Sequence, residues 1–203
     1  RERVFDEDPL IIFDAGARGG ANPEWLTLRD QAKIFCFEPD RQECDRLSKS
    51  APPNIKYVPV GLARRVGEAT LYETELPASA GLYKTRMDYF GRFVNGQNGV
   101  TRSEIRIAVK SLDEVARELN VEYVDFLKLD VEGAELDVLM GAPTLIKGGL
   151  LGVLSEFRFH REINGSPPFS TLDAFLQEQG LQLFDIQPNR HSRKGLPYPQ
   201  TAD

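Results

Sequence analysis

Short apolar runs alternate with amphipathic segments along most of the chain. The apolar runs predict buried strands at residues 10–15, 33–39, 55–62, 123–130, 150–159 and 181–186. A further run, 68–74, predicts either an extension of the sheet or a hairpin. Strands that alternate with helices are typical of a mostly parallel sheet covered on both faces, so the pattern predicts a doubly wound α/β fold. Such sheets bind ligands at the carboxyl ends of their strands, near the switch point.

Cap residues indicate where the helices begin. Predicted helix starts are marked by Asn22 with Pro23, by Ser111 with Glu114 in a capping box, by Glu132 with Gly133, and by Ser170. Terminators are predicted near Gly141 and Pro143 and at Gly180.

Two segments depart from this rhythm. Residues 76–104 are rich in glycine, aromatic and basic residues. We predict an insertion or lid there that covers an anionic or sugar-like acceptor, although an ordinary surface excursion explains the same composition. Residues 188–203 are polar and proline-rich, which predicts an irregular tail. The whole chain, 1–203, is predicted to form a single domain.

Composition narrows the class of protein. The net charge of −6 and the pI near 5.1 argue against a nucleic-acid groove. No apolar run approaches the roughly 18 residues of a membrane span, and we expect no signal peptide, no membrane partner and no nucleic-acid partner. Cys36 and Cys44 are expected to be reduced core thiols, which favours a cytoplasmic location. Two histidines are too few for a histidine-built metal site.

The stretch IIFDAGARGGANPEW places a glycine-rich turn between a strand and a helix. A dinucleotide fingerprint needs glycine at two positions that Arg18 and Ala21 occupy here. Asp14 before the loop would repel a pyrophosphate and attract a cationic amino acid group. S-adenosylmethionine has an ammonium and a sulfonium and no phosphate, and it therefore suits the spacing Asp14, Gly16, Gly20.

Two further carboxylates support this cofactor. Glu38 lies 24 residues after Asp14 at the end of the second strand, where a carboxylate can accept both ribose hydroxyl protons. Asp130 ends the fourth strand, which neighbours the first in a doubly wound order. Glu38 as a solvated strand-end acid and Asp130 as a helix cap are the structural alternatives.

The stretch VDFLKLDVEGAELDVLMGA (124–142) resembles the FkbM family of S-adenosylmethionine-dependent methyltransferases. Its Asp125, Leu127, Lys128, Asp130, Glu132, Gly133 and Glu135 match the family pattern. The segments FDAGARGG, FEPD, SAGLYK, VKSLDEV and LSEF follow the family order, so the resemblance spans roughly residues 10–187.

This resemblance implies a Rossmann-like class I methyltransferase fold and O-methylation of a sugar or natural-product hydroxyl. It implies that the cofactor contacts Asp14, Gly16 and Ala17 in the loop, where the spacing adds Gly20. It places Asp130 near the methionine end, Glu38 at the ribose, and Pro39, Gly61 and Leu62 around the adenine. Arg18 and Gly19 depart from the family, many of whose members have Asn and an apolar residue there. The final antiparallel strand of the class is also expected to be missing.

Candidates for the base that removes the acceptor proton are Asp130, Glu132, Glu156 and His160. Glu156 is slightly favoured, because burial in an apolar strand would raise the pKa of its carboxyl. Glu132 has a structural alternative at a helix start, and a lone loop histidine such as His160 is more often idle. Asp130 and Glu156 together are residue types that hold a divalent ion in some O-methyltransferases, but we predict no metal site.

The acceptor is predicted to be a small molecule or a saccharide, since fold does not fix substrate. Two other functions are weighed against methyl transfer. One is a non-catalytic S-adenosylmethionine-binding or scaffold domain. The other is a nucleotide-dependent oxidoreductase, which the missing dinucleotide fingerprint disfavours. The sequence does not determine the oligomeric state.

Overall fold

A computed structural model describes residues 8–195 and 199–202. The strands in these residues are β1 (Leu10–Ala15), β2 (Ala32–Glu38), β3 (Ile55–Pro59), β4 (Gly61–Leu62), β5 (Gly67–Thr74), β6 (Thr101–Lys110), β7 (Phe126–Leu129), β8 (Gly152–Ser155), β9 (Arg190–Ser192) and β10 (Pro199–Ala202).

The α-helices are short. They are α1 (Pro23–Leu26), α2 (Arg41–Ser48), α3 (Met87–Phe90), α4 (Leu112–Leu119), α5 (Glu135–Met140), α6 (Pro143–Lys147) and α7 (Phe169–Glu178). Turns of 3₁₀ helix occur at Arg29–Gln31, Pro77–Ser79 and Gly96–Gly99.

The chain divides into two compact units. The first extends to Glu68 and includes Ile107–Val131 and Asp137–Ser155. The second comprises Ala69–Arg106, Glu132–Leu136 and the residues from Glu156 onward. The prediction of a single domain over 1–203 stays a prediction.

The first unit contains a five-stranded sheet in the order β3-β2-β1-β7-β8, and all of its pairings are parallel. The strand order reverses direction between β1 and β7, which is the switch point of a doubly wound sheet. This architecture confirms the predicted Rossmann-like α/β fold. Within the described residues, this sheet has no antiparallel strand.

Burial on both faces explains why β1 is an uninterrupted apolar run. Ile12 packs on one face in a cluster that includes Ile34 and Cys36. On the other face the ring of Phe13 meets the ring of Phe37 edge-on at 5.0 Å. Cys36 and Cys44 are both buried and unpaired, as predicted.

Helix caps follow the predicted chemistry in two cases. The side chain of Asn22 accepts a hydrogen bond from the backbone N–H of Glu24, with Pro23 at the first helical position. Ser111 caps α4 by accepting from the backbone N–H of Glu114. Both helices therefore begin where their sequences predict.

A smaller sheet has the order β4-β6-β5. In the first unit, β4 lies parallel to the last residues of β6, with Gly61 opposite Val109 and Leu62 opposite Lys110. In the second unit β9 and β10 form an antiparallel pair. The predicted irregular tail over 188–203 is therefore wrong at these two strands, while residues 196–198 and 203 lie outside the described residues.

The strand predicted at 181–186 is wrong, because no strand is assigned to these described residues. Their apolar side chains are largely exposed, and Phe184 is 101% exposed. An apolar pattern stabilises a strand only when a neighbouring strand accepts its backbone hydrogen bonds and covers its side chains. The strand predicted at 150–159 is likewise shorter, since β8 ends at Ser155.

Two predicted helix starts are also wrong. Glu132 and Gly133 have φ angles of +53° and +96°, in the left-handed region, and α5 begins only at Glu135. Helix α7 begins at Phe169 with Pro168 in the cap position, so Ser170 is inside the helix rather than its cap. In the described part of the chain, no helix has the length and apolar character needed to cross a membrane.

Candidate functional site

The loop after β1 is shaped by three glycines with positive φ angles. These angles are +78° at Gly16, +85° at Gly19 and +131° at Gly20. A Cβ atom at Gly16 would lie 1.8 Å from the backbone oxygen of Asp130. Because that oxygen belongs to the backbone directly after β7, the close approach of loop and strand requires glycine at this position.

The backbone N–H groups of this loop are largely bound by the protein itself. Donors to acceptors within the chain are Gly16, Ala17, Gly19, Gly20, Ala21 and Asn22. The first two bond to the carbonyl oxygen of Phe37, at 3.0 and 3.1 Å. Phosphate-binding loops instead direct such N–H groups toward the ligand.

Two carboxylate side chains also accept hydrogen bonds from backbone N–H groups of the loop and bring negative charge to it. Glu43 Oε1 accepts from Gly19 at 3.0 Å, and Asp14 Oδ2 accepts from Asn22 at 2.8 Å. A hydrogen bond from Arg46 lowers the pKa of the Glu43 carboxyl to about 2, so Glu43 is ionised at neutral pH. Acceptors of this kind disfavour an anionic group at the loop.

Asp14 is 0% exposed and lies opposite Lys128 in the β1–β7 pairing. The Lys128 ammonium is 3.2 Å from Asp14 Oδ1 and 3.3 Å from Asp130 Oδ2. It also donates hydrogen bonds to the carbonyl oxygens of Ala15 at 3.3 Å and Gly16 at 3.2 Å. We refer to Lys128, Asp14 and Asp130 as the Lys128 cluster.

The two carboxylates of the Lys128 cluster lie in different surroundings. Burial raises the pKa of the Asp14 carboxyl, and the charge of Lys128 opposes that rise. The Asp130 side chain is 46% exposed at the end of β7. Asp14 therefore supports the loop from inside, whereas Asp130 presents its carboxylate to solvent.

Glu38 ends β2 and is only 5% exposed. Its Oε1 accepts a hydrogen bond from the backbone N–H of Asp40 at 2.9 Å and lies 3.6 Å from Arg18 Nη1. Burial raises the pKa of the Glu38 carboxyl, while the Asp40 N–H and Arg18 oppose the rise. The loop is tied to this strand end through Phe37, so the predicted ribose residue neighbours the glycine loop.

The residues predicted around the adenine lie close to the strand ends of the same unit. Pro39 is half-buried and follows Glu38 directly. Gly61 and Leu62 are buried in β4, and a Cβ atom at Gly61 would approach the Ile107 side chain to 2.8 Å. Ala17 is buried within the core cluster. The cofactor roles of these residues stay predictions.

The second unit gathers carboxylates around Arg158. Its guanidinium donates to Glu132 Oε2 at 2.8 Å and lies 3.2 Å from Glu156 and 3.6 Å from Glu162. We refer to these four residues as the Arg158 cluster. Burial disfavours the charged guanidinium, but the surrounding glutamates outweigh burial and raise the pKa of Arg158. Because the backbone at Glu132 and Gly133 is left-handed, no helix begins there. The side chain of Glu132 instead belongs to the Arg158 cluster.

His160 is exposed, and its ring lies 5.7 Å from the ring of Tyr89. Arg92 lies 5.4 Å from the centre of the same tyrosine ring. The second unit therefore brings residues of the basic, aromatic segment 76–104 next to one predicted base. The roles of Asp130, Glu132, Glu156 and His160, and the predicted absence of a metal site, stay predictions.

Lys128, quoted above only as part of the family pattern, and Arg158 are the cations of the two clusters that the sequence analysis did not propose as site residues. Each is a charged residue inside an apolar run, FLKL and FRF, where a buried charge requires a partner. That signal is visible in the sequence. The partners are not, because they come from other segments of the chain.

The sequence profile described as the Methyltransferase FkbM domain matches residues 14–185. The 2-O-methyltransferase NoeI of Sinorhizobium fredii is 27% identical over 148 residues, covering 68% of this chain and 59% of that protein. The methyltransferase sdnD of Sordaria araneosa is 31% identical over 157 residues, covering 66% of this chain and 60% of that protein.

A third relative, the hexuronic acid methyltransferase AglP of Haloferax volcanii, is 27% identical over 138 residues, covering 66% of this chain. The chain spans 51% to 60% of the length of these three relatives. No solved structure gave a significant match. Since the family profile covers most of the chain and agrees with the parallel sheet and its glycine loop, the protein belongs to the FkbM methyltransferase family.

Proposed function

We propose that this chain is an S-adenosylmethionine-dependent methyltransferase domain that methylates a hydroxyl group of a saccharide or related natural product. The observation that carries the choice of cofactor is the glycine loop, whose N–H groups are bound by carbonyl and carboxylate oxygens of the protein. A loop of this kind suits a cofactor that has no phosphate. The buried carboxylate of Glu38 at the adjoining strand end suits a ribose.

Within the first unit, Glu38 accepts the ribose hydroxyl protons, and Pro39, Gly61 and Leu62 border the adenine. Gly16, Ala17 and Gly20 give the loop its shape near the methionine part, supported from beneath by Asp14. Asp130 supplies an exposed carboxylate for a cationic group. When bound, S-adenosylmethionine supplies an activated methyl group on a sulfonium.

Within the second unit, Glu156 is the proposed base, with His160 and Glu132 as alternatives. Glu132 accepts a hydrogen bond from Arg158 at 2.8 Å, whereas Glu156 is the more exposed carboxylate of the two. A partly exposed carboxylate is able to take a proton from an acceptor hydroxyl. Alignment of the reacting groups supplies much of the remaining acceleration.

The acceptor class is supported by the relatives and by segment 76–104. One relative is named a 2-O-methyltransferase and another a hexuronic acid methyltransferase. The exposed side chain of Arg92 adds positive charge over the ring of Tyr89, whereas the guanidinium of Arg86 is paired with Asp88 at 2.6 Å. Positive charge around an acceptor favours an anionic one, such as an acidic sugar. Buried, unpaired Cys36 and Cys44 support the proposed cytoplasmic location.

Calorimetry with S-adenosylmethionine, S-adenosylhomocysteine and NAD tests the cofactor. We expect the first two to bind and NAD not to bind. Glu38→Ala is expected to weaken S-adenosylhomocysteine by at least about tenfold, because two ribose hydroxyls lose a charged acceptor. The matched control is Glu122→Ala, which removes an exposed carboxylate of the same unit and should leave affinity unchanged.

Unchanged affinity in Glu38→Ala would contradict the ribose assignment. Incubation with a library of saccharide hydroxyl acceptors, followed by mass spectrometry, tests the reaction through a gain of one methyl group. Cofactor binding without any methylated product across sugars and other natural products would favour a non-catalytic domain instead.

A further inference from the structure

Arg18 is a charged residue within the glycine loop, at a position where the sequence departs from the FkbM pattern. Its Nη1 donates to Asp40 Oδ2 at 3.3 Å and lies 3.6 Å from Glu38 Oε1. About a third of the Arg18 side chain is exposed, while the Glu38 side chain is almost fully buried. The loop thus presents a cation to the carboxylate that ends β2.

We propose that Arg18 is a positioning residue for the ribose, which holds the Glu38 carboxylate in its ionised form and in one orientation. The inference rests on the proposed function, because the ribose belongs to the proposed cofactor. Arg18 acts through Glu38 and is not itself a catalytic residue.

Because Glu38 is buried, its ionised form requires a cationic partner. A carboxylate removed from water favours its neutral form, and burial is the largest influence on Glu38. A neutral carboxyl group carries a proton of its own and accepts two ribose hydroxyls less well than a carboxylate does. An adjacent cation restores the charged form.

The other groups that face Glu38 do not replace Arg18. The Asp40 N–H donates to Glu38 and favours its charged form, but the carboxylates of Asp40 and Glu43 disfavour it. Among the described charged groups that act on Glu38, Arg18 supplies the positive charge. Without Arg18, Glu38 is a buried acid with two acidic neighbours.

The same contacts fix the orientation of the carboxylate. Asp40 N–H and Arg18 both approach Oε1, at 2.9 and 3.6 Å. This geometry assigns the second oxygen, Oε2, to the ribose hydroxyls. Arg18 already faces the carboxylates of Asp40 and Glu38, which balance its positive charge. Arg18 is therefore a poor partner for a cofactor phosphate.

The test is calorimetric titration of S-adenosylhomocysteine into wild type, Arg18→Gln and Arg18→Lys at pH 8 and pH 6. Loss of the cation raises the pKa of Glu38 further. As the pH is lowered, the affinity of Arg18→Gln for S-adenosylhomocysteine should therefore begin to fall at a higher pH than that of the wild type. We expect the ratio of Kd at pH 6 to Kd at pH 8 to be at least about fivefold larger in Arg18→Gln than in the wild type. Arg18→Lys keeps a positive charge and should recover most of the wild-type ratio.

Two controls separate this role from a merely structural one. Lys49→Gln removes the same charge at the far end of α2 from Asp40 and should leave the ratio unchanged. Introducing Arg18→Gln into a Glu38→Gln background should add no pH dependence, because the titrating carboxyl is gone. A single cooperative thermal unfolding transition in Arg18→Gln would show that the variant is folded, although we expect its melting temperature at pH 8 to fall because the buried Glu38 loses its cation.

An unchanged ratio in Arg18→Gln would overturn the proposal, even if affinity fell equally at both pH values. Tighter binding by Arg18→Gln would also overturn it, because Arg18 would then compete with the ribose. A wild-type protein that binds neither S-adenosylmethionine nor S-adenosylhomocysteine would instead refute the proposed function on which this inference rests.

Discussion

The two units of the protein each surround a cation with carboxylates, but in different proportions. In the Lys128 cluster one ammonium lies within 3.3 Å of two carboxylates and also binds two backbone carbonyl oxygens. In the Arg158 cluster one guanidinium faces three carboxylates within 3.6 Å. The first arrangement joins its cation to the backbone as well as to carboxylates, whereas the described contacts of the second are with carboxylates.

The difference separates two uses of a buried cation. Lys128 ties the carbonyl oxygens of Ala15 and Gly16 to the buried Asp14, so its main effect is on the shape of the loop. Arg158 pairs with three glutamates, one of which is Glu156, the proposed base. We therefore expect damage to the Lys128 cluster to reduce stability and cofactor binding, and damage to the Arg158 cluster to reduce turnover.

The largest effect is expected from Gly16→Ala. The new Cβ atom would lie 1.8 Å from the backbone oxygen of Asp130, so the loop or β7 must move. We expect the free energy of unfolding to fall by about 4 kcal/mol or more, with loss of S-adenosylhomocysteine binding. Urea unfolding and calorimetry measure the two effects.

Gly19→Ala is the matched control, because Gly19 has a similar φ angle of +85°. No described atom lies within 4 Å of a Cβ at Gly19, so this change should cost only about 1 kcal/mol of backbone strain. Equal losses in the two variants would show that the φ angle, and not the close approach to β7, makes glycine necessary.

Lys128→Met is expected to lower the free energy of unfolding by about 3 kcal/mol, because Asp14 stays buried without its cation. Without Lys128 the already raised pKa of Asp14 rises further in the folded state. A raised carboxyl pKa contributes stability at low pH that is lost as pH rises through it, so the penalty should be smaller at pH 5 than at pH 8.

The double variant Asp14→Asn, Lys128→Met removes both buried charges and keeps an acceptor for the Asn22 N–H. Its unfolding free energy should lose this pH dependence and recover part of the deficit. A double variant no more stable than Lys128→Met at pH 8 would argue that the carbonyl contacts of Lys128, and not the Asp14 pair, dominate.

Glu156→Gln is expected to have the smallest effect on the fold and to lower turnover instead. Turnover on the identified acceptor should fall about 10²-fold, because the proposed proton acceptor is lost. S-adenosylhomocysteine affinity should stay within about twofold, since Glu156 belongs to no part of the proposed cofactor site. His160→Ala is the comparison. Full turnover in both variants would mean either that Asp130 removes the proton or that alignment of the reacting groups is sufficient without a base.

Sequence patterns predicted the elements that are buried on both sides. The apolar runs at β1, β2 and β7 and the caps at Asn22 and Ser111 are local features, and each appears in the structure, although β7 is shorter than the run predicted at 123–130. The glycine loop was predictable for the same reason, because strong backbone requirements leave direct traces in the residue types.

Predictions failed where a segment depended on distant partners. The apolar residues of 181–186 have the pattern of a strand but no strand pairing, and Phe184 is fully exposed. Glu132 follows a helix-start pattern, yet Arg158 binds its carboxylate and its backbone is left-handed. Local propensity is a weak signal wherever a tertiary contact competes with it.

The sequence by itself determined the parallel sheet, the glycine loop and the position of Glu38 at a strand end, because periodicity and chain order fix these features. Only the tertiary structure decided which charges meet. Lys128 reaches Asp14 through the register of β1 and β7, and Arg158 collects glutamates from separate segments. Ion pairs between residues far apart in sequence leave no periodic trace, since they depend on the three-dimensional path of the chain.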